Sequence, residues 1–172
     1  MFTIETPRLV LAPTPLDVLK TRLECDDFVA VVPVEIDSDG QRVTEMLRVR
    51  FPTEWRPGPK AQPDRDAWDG TIIDRAELLA VGTMGFKAPP DETGTVELGY
   101  SVNASYQGRG YATEMAQALV AWALRQPTVR RVTAECLEDN PASIRVLEKS
   151  GFVQSGRRKD EEGPLLLWER KP

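Results

Sequence analysis

Residues 95–125, TVELGYSVNASYQGRGYATEMAQALVAWALR, contain the segment that decides the fold. Apolar residues alternate with other types from Thr95 to Val102, which predicts a strand. From Gly110 to Arg125 apolar residues recur at spacings of three and four, which predicts a helix that ends before Pro127. A strand, a short loop with two glycines and a helix therefore follow one another directly.

The loop between this strand and this helix has the composition of an anion site. Gly108 and Gly110 allow a ligand to approach the backbone closely, and the first-turn amides of a helix point outward without intrahelical partners. Thr113 adds a hydroxyl in the same turn. Two glycines also suit a connection that is merely tight, so the pattern alone leaves both interpretations open.

Two common nucleotide-binding motifs do not fit the sequence. A dinucleotide fingerprint needs a third glycine where Thr113 stands, and the chain has no Gly-Lys-Ser/Thr for a phosphate loop. A nucleotide-binding regulator is therefore a less favoured hypothesis. It predicts that ATP or NAD stabilises the folded protein.

A second helix with well-marked ends is predicted from Asn140 to Gly151. Asn140 is a typical N-cap, Pro141 suits the first helical position and Gly151 suits the C-terminal cap. The pattern of residues 129–137 predicts a strand immediately before this helix.

The beginning of the chain predicts a strand over residues 9–11 and then a helix. Thr14 would be the N-cap, Pro15 the first helical residue and Asp17 the reciprocal partner in a capping box, with the helix ending near Cys25. The predicted apolar face of this helix consists of Leu16, Leu19 and Leu23.

Residues 28–66 are expected to be a variable, irregular segment. Residues 29–36 and 42–51 each suit a strand or a helix, and the prolines that follow favour a stiff loop. Residues 71–102 predict an antiparallel meander. Two short strands, residues 152–155 and 165–169, would end the chain, joined by a charged loop from Gly156 to Pro164.

Length and composition indicate one soluble domain spanning residues 1–172. Hydrophobic residues make up 41% and charged residues 28%, and no apolar run is long enough to span a membrane. Because the net charge is −5 and the basic residues are scattered, nucleic acid is not an expected partner. The N-terminus lacks a signal-peptide pattern, which favours the cytoplasm.

The chain has no histidine, which excludes imidazole acids and bases and histidine-ligated zinc. Cys25 and Cys136 are expected to be reduced thiols, with Cys136 buried and inert, so no metal is expected. Proton transfer must therefore come from carboxylates, hydroxyls, thiols, amines or water.

Two linked runs resemble the signatures of the GNAT N-acetyltransferase superfamily. In the first run, Gln107, Gly110 and Ala112 match the acetyl-CoA signature of Gln or Arg, two variable residues, Gly, one variable residue, and Gly or Ala. The second run is residues 140–152, NPASIRVLEKSGF, and the opening ETPRLVL of residues 5–11 is similar to the branch of ribosomal-protein N-terminal acetyltransferases. The resemblance covers residues 1–25 and 68–169 and is absent for 28–66.

The resemblance implies an α+β fold with a mixed, strongly bent and mostly antiparallel sheet, splayed at its centre, with helices on both faces. Acetyl-CoA would lie in the splay. Val102 at the strand end would hold the pantetheine arm, and Asn140 and Ser143 would face it. The implied diphosphate site consists of Gln107, Gly108, Arg109, Gly110, Tyr111, Ala112 and Thr113.

Glu97 is the predicted general base, because it lies on the strand before this loop where several families of the fold keep a glutamate. The alternative is an ordinary outward strand residue, and Asp69, Asp74 and Glu77 are less well placed. A backbone amide near Val102 or Asn103 would stabilise the oxyanion.

Many members have a tyrosine general acid where this chain has Leu147, and Ser143 is the predicted substitute. Ser143 could instead contact CoA or make a local backbone bond. Trp55, Trp68 and Trp168 suit either an acceptor pocket or core packing.

The predicted function is direct transfer of acetyl from acetyl-CoA to a primary amine of a peptide, a protein N-terminus or a small molecule. The alternative is a non-catalytic acyl-CoA-binding module that regulates a partner. The sequence does not decide between a monomer and a homodimer.

Overall fold

The computed structural model describes residues 3–38, 40–57, 69–161 and 163–172. These ranges contain one 10-stranded sheet and three α-helices. The strands are β1 Ile4–Glu5, β2 Leu9–Ala12, β3 Phe28–Ser38, β4 Gln41–Phe51, β5 Asp69–Asp74, β6 Leu79–Phe86, β7 Thr95–Val102, β8 Arg131–Leu137, β9 Val153–Asp160 and β10 Gly163–Arg170. The helices are α1 Leu16–Glu24, α2 Tyr111–Leu124 and α3 Pro141–Lys149.

The main path of the sheet runs β1-β2-β5-β6-β7-β8-β10-β9, with the β3–β4 hairpin joined to β6. Most neighbours are antiparallel, and β7–β8 and β4–β6 are parallel. The predicted meander of residues 71–102 is confirmed as β5–β6–β7. The β7 and α2 bounds and the Asn140 cap of α3 also agree with the sequence prediction.

The sheet opens between β7 and β8. Their parallel register runs from Thr95 opposite Arg131 to Leu98 opposite Ala134 and stops there. Helix α2 follows the carboxyl end of β7 and α3 follows the carboxyl end of β8, so both helices begin beside the opening. The predicted mixed sheet with a central splay is confirmed.

Apolar side chains form two cores on opposite faces of the sheet. In β2, Leu9 and Leu11 belong to the first core with α2, whereas Val10 and Ala12 belong to the second core with α1 and the hairpin. This alternation follows from the two-residue period of a strand. Helices therefore cover both faces, as predicted. Within the described ranges, no helix is long and apolar enough to cross a bilayer.

The predicted start of α1 is wrong, and its predicted apolar face is only partly correct. Pro15 is the N-cap residue, and the hydroxyl of Thr14 instead makes a 2.8 Å hydrogen bond with that of Thr71. Leu19 packs against the second core as predicted, but Val18 is the fully buried residue, and Leu16 and Leu23 are 42% and 88% exposed. The buried face of the helix is therefore rotated from the predicted one, because docking on the second core rather than leucine spacing sets it.

The predicted irregular segment is largely a regular hairpin. Strands β3 and β4 pair along their whole length, from Phe28 opposite Phe51 to Ser38 opposite Gln41. The β-branched residues of the hairpin pack one of its faces into the second core. Sequence periodicity alone does not reveal this packing, so it leaves helix and strand equally possible. Residues 58–66 of that segment lie outside the described residues.

The predicted charged loop of residues 156–164 is also wrong. Strands β9 and β10 extend through it, and Asp160 pairs with Gly163. The charged residues of β9 fit a strand because their side chains find partners on the same face of the sheet. Arg158 Nε, for example, donates a 3.0 Å hydrogen bond to Glu135 Oε1 of β8.

Two substitutions in α1 test its corrected orientation. Val18→Ala is expected to lower the free energy of unfolding by about 2 kcal/mol, because it removes fully buried methyl groups. Leu23→Ala, on the same helix, is expected to change it by less than about 0.5 kcal/mol. Urea unfolding monitored by circular dichroism measures both, and equal losses would contradict the orientation.

Candidate active site

The loop before α2 is exposed at the carboxyl end of β7, beside the opening. Gly108 and Gly110 have φ angles of 75° and 80°, and Gly110 is the N-cap residue of α2. No described side chain caps the helix, and no described atom lies within 4 Å of a Cβ built on Gly108. The first-turn amides and the Gly108 backbone are therefore open to an anion.

Gln107 connects this loop to the strand end. Its Nε2 donates to the Val102 carbonyl at 3.0 Å, so both groups are engaged with each other. The Asn103 N–H donates to the Val81 carbonyl at 2.9 Å and its side-chain Nδ2 to Ala80. Because that amide is already bonded inside the sheet, Asn103 is not a free oxyanion donor.

The other predicted loop residues contribute in different ways. Arg109 is exposed and its guanidinium carbon lies 4.5 Å from the centre of the Tyr106 ring. Tyr111 turns inward, where its hydroxyl donates to Asp74, and this bond raises the pKa of Tyr111. Tyr111 can thus offer a ligand its backbone amide, whereas Ala112 and Thr113 lie half-buried in the first turn.

An unpredicted polar network holds the loop against the N-terminal segment. Arg8 Nε donates to Glu114 Oε2 at 2.7 Å, and Arg8 Nη1 donates to the Arg109 carbonyl at 3.0 Å. Thr6 Oγ1 donates to Glu114 Oε1 at 2.7 Å. These contacts join residues that are more than a hundred positions apart in the sequence. The one feature of the sequence that could have indicated them is an acidic residue, Glu114, in the first turn of α2.

Across the opening, the start of α3 has the predicted cap. Asn140 Oδ1 accepts from the Ser143 N–H at 3.0 Å, which engages that amide. The Ser143 carbonyl accepts from the hydroxyl of Tyr100 on β7 at 3.4 Å. The structure therefore brings Tyr100, which the sequence did not single out, next to Ser143.

Glu97 lies on the opposite face of β7 from Tyr100. Its neighbours Val96 and Leu98 are buried in the first core, so Glu97 points away from α2. Its carboxylate forms an ion pair with Lys87. The structure therefore does not bring the two predicted catalytic residues, Glu97 and Ser143, together.

Asp69 is a further carboxylate on the Glu97 face. It is in register with Gly85, which is in register with Gly99, the first β7 residue beyond the β8 pairing. Burial raises the pKa of Asp69. The sequence could not show this placement, because it depends on the register of three strands.

The cysteine and tryptophan residues lie mainly in the cores. Cys136 is a buried free thiol as predicted, and burial raises its pKa although the Trp168 indole acts in the opposite direction. Trp55 is fully buried in the second core, where its Nε1 donates to the Gly82 carbonyl, and Trp168 is 5% exposed. Core packing is thus the correct alternative for Trp55 and Trp168; Trp68 lies outside the described residues.

A model of the acetyltransferase (GNAT) domain matches residues 9–153. The uncharacterised N-acetyltransferase YjdG of Bacillus subtilis strain 168 is 43% identical over 88 residues, which are 51% of this chain and 51% of that protein. The chain spans about half the length of the curated relatives it matches.

Two solved structures share the fold. A GNAT-family acetyltransferase from Bacillus anthracis has a TM-score of 0.66 at 21% identity, covering 99% of this chain and 98% of that one. RimL, a ribosomal L7/L12 alpha-N-protein acetyltransferase in complex with coenzyme A, has a TM-score of 0.55 at 24% identity, covering 60% and 62%.

Glu114→Gln tests the network behind the loop. Burial acts to raise the pKa of Glu114, but the hydrogen bonds from Thr6 and Arg8 outweigh it and hold the pKa below its ordinary 4.5. The ionised carboxylate therefore stabilises the fold above that value, and this contribution is lost as the pH falls through the folded pKa.

The variant is expected to lose about 1 kcal/mol of unfolding free energy at neutral pH, since Arg8 is half-exposed. The difference from wild type should shrink in acid. Urea unfolding from neutral pH down to about pH 3 measures it. Glu92→Gln, at an exposed turn, is the control, and a difference that does not change with pH would contradict the network.

Proposed function

Because the chain belongs to the GNAT acetyltransferase family, we propose that it is an acetyl-CoA-dependent N-acetyltransferase that acts directly on a primary amine. One observation carries the proposal: the uncapped, left-handed turn at Gly110 lies beside the opening where β7 leaves β8. An anion-binding turn and an open strand edge are what a long diphosphate-bearing thioester needs.

The residues around the opening fit acetyl-CoA. The amides of residues 108–112 would hold the diphosphate at the positive end of α2, with Arg109 adding charge. The pantetheine arm would lie along β7 beyond Leu98, where backbone groups on the β8 side can bond to an extended ligand. Bound acetyl-CoA supplies the acetyl group and a thiol leaving group.

Deprotonation of the acceptor amine is assigned to Glu97, acting directly or through water. A carboxylate can accept a proton from an amine, and the ion pair with Lys87 holds that of Glu97 in place on its strand. Glu97 points to the face of the sheet opposite α2, so the amine would approach from that face. Asp69, on the same face and in register with the opening, would help to attract a cationic acceptor.

The proposed acceptor is a peptide or protein N-terminus or a small amine. RimL, which shares the fold, is named for acetylating a protein N-terminus, which supports the peptide class. A regulatory module that binds acyl-CoA without turnover is the competing function. It would need the same loop but would not need Glu97.

Gly108→Ala tests the cofactor. Gly40 has a φ of 81° and, like Gly108, no described atom within 4 Å of a built Cβ, so Gly40→Ala is a matched control for backbone strain. Each variant is expected to lose about 1 kcal/mol of stability. The Gly108 methyl group would also occupy the diphosphate site and weaken CoA binding at least about tenfold.

Thermal-shift titration with acetyl-CoA, CoA, ATP and NAD measures these effects. CoA species at 100 times their dissociation constant should stabilise wild type by about 2.7 kcal/mol. No stabilisation by either CoA species, or stabilisation by ATP or NAD instead, would contradict the proposal.

Glu97→Gln separates the enzyme from the regulatory module. Turnover, measured as thiol release with a panel of amines, is expected to fall at least about 100-fold because the base is lost. CoA binding should not change. Glu35→Gln is the control, since Glu35 is also a strand carboxylate paired with a cation, Arg42. Unchanged turnover in Glu97→Gln would remove the base assignment, and CoA binding without turnover in wild type would favour the module.

A further inference from the structure

The side chain of Tyr100 reaches across the opening of the sheet. Leu98 is the last β7 residue paired with β8, and Tyr100 is the next residue on the same face of β7. Its hydroxyl lies 3.4 Å from the carbonyl oxygen of Ser143 at the start of α3. The phenol therefore reaches from β7 to the start of α3.

The surroundings of this phenol are largely apolar. Its ring packs against the first core, which also contains Cys136 and Trp168. Burial raises the pKa of Tyr100, and burial also raises the pKa of Cys136. Both groups are therefore neutral at physiological pH, and the phenol retains a proton that it can donate.

The hydrogen bond from the phenol to the Ser143 carbonyl is long, so the phenol can exchange it for a bond to another acceptor. At 3.4 Å the contact lies at the weak end of hydrogen-bond geometry. An acceptor placed in the opening would compete for the same O–H. The contact thus orients the hydroxyl toward the space between β7 and α3.

We propose that Tyr100 is the general acid that protonates the departing sulfur, an inference that rests on the proposed function. The position that often carries a tyrosine on the second helix is Leu147, which is fully buried in the first core. A phenol is a far stronger acid than the aliphatic hydroxyl of Ser143. Tyr100 on β7 therefore takes the role of general acid that the sequence predicted for Ser143.

The two proton transfers of the proposed reaction take place on opposite faces of β7. The amine nitrogen bonds to the acetyl carbonyl carbon, its proton passes to Glu97 or to water held there, and the carbon–sulfur bond breaks. Tyr100 gives its phenolic proton to the sulfur and regains one from solvent, while Glu97 releases its proton to solvent. The products are the amide and CoA thiol, with no net change in the enzyme.

Tyr100→Phe removes one oxygen and keeps the packing of the ring. The matched control is Tyr106→Phe, because Tyr106 also packs its ring against the first core, and its hydroxyl donates to Glu77 at 3.1 Å, away from Ser143. Both variants are compared with wild type in thermal stability, in steady-state kinetics, and in affinity for CoA and for desulfo-CoA.

In Tyr100→Phe we expect kcat to fall at least about 100-fold while KM for acetyl-CoA stays within about threefold. Wild type should bind CoA about fivefold more tightly than desulfo-CoA, because the phenol bonds to the sulfur, and Tyr100→Phe should lose that preference. Tyr106→Phe should keep both the rate and the preference.

Two results would overturn the assignment. If wild type turns over and Tyr100→Phe matches it in kcat and in its preference for CoA, Tyr100 is not the acid, while the proposed function stands. If wild type binds neither CoA nor desulfo-CoA, the proposed function fails and the assignment fails with it.

Discussion

The parting of β7 from β8 is the constraint on which the site depends. Four residues of each strand pair in parallel and the strands then separate, so two carboxyl ends and two helix starts surround one opening. In parallel pairs, connections place helices after strands, and ligands bind beyond the carboxyl ends where neighbouring connections diverge. The uncapped turn before α2, the capped start of α3 and the hydroxyl of Tyr100 all lie beside the opening because of this separation.

Strand β7 also divides the proposed chemistry between two faces. Its alternation sends Glu97 to the side of the second core and Tyr100 to the side of α2. The N-terminal segment holds the loop before α2 in place, because Arg8 bonds both to Glu114 and to the backbone carbonyl of Arg109.

The sequence predicts the elements whose signals are local and misses those set by distant contacts. The bounds of β7 and the cap at Asn140 follow from neighbouring residues, and both are confirmed. The burial of Val18 rather than Leu23 depends on where α1 docks, and the regularity of the β3–β4 hairpin depends on the second core. Tyr100 and Glu114 have partners 43 and 106 residues away, so no window of sequence could show which residues they contact.

The hairpin that sequence patterns missed occupies the face from which the acceptor would approach. The second core joins β3, β4 and α1 to the side of the sheet that carries Glu97, while the first core joins α2 to the side that would carry the diphosphate. Changes in the hairpin can therefore alter acceptor choice without disturbing the residues proposed to hold acetyl-CoA. Since Phe51 and Trp55 anchor the base of the hairpin in a T-shaped contact, variation is tolerated best at its exposed positions, such as Met46 and Val29.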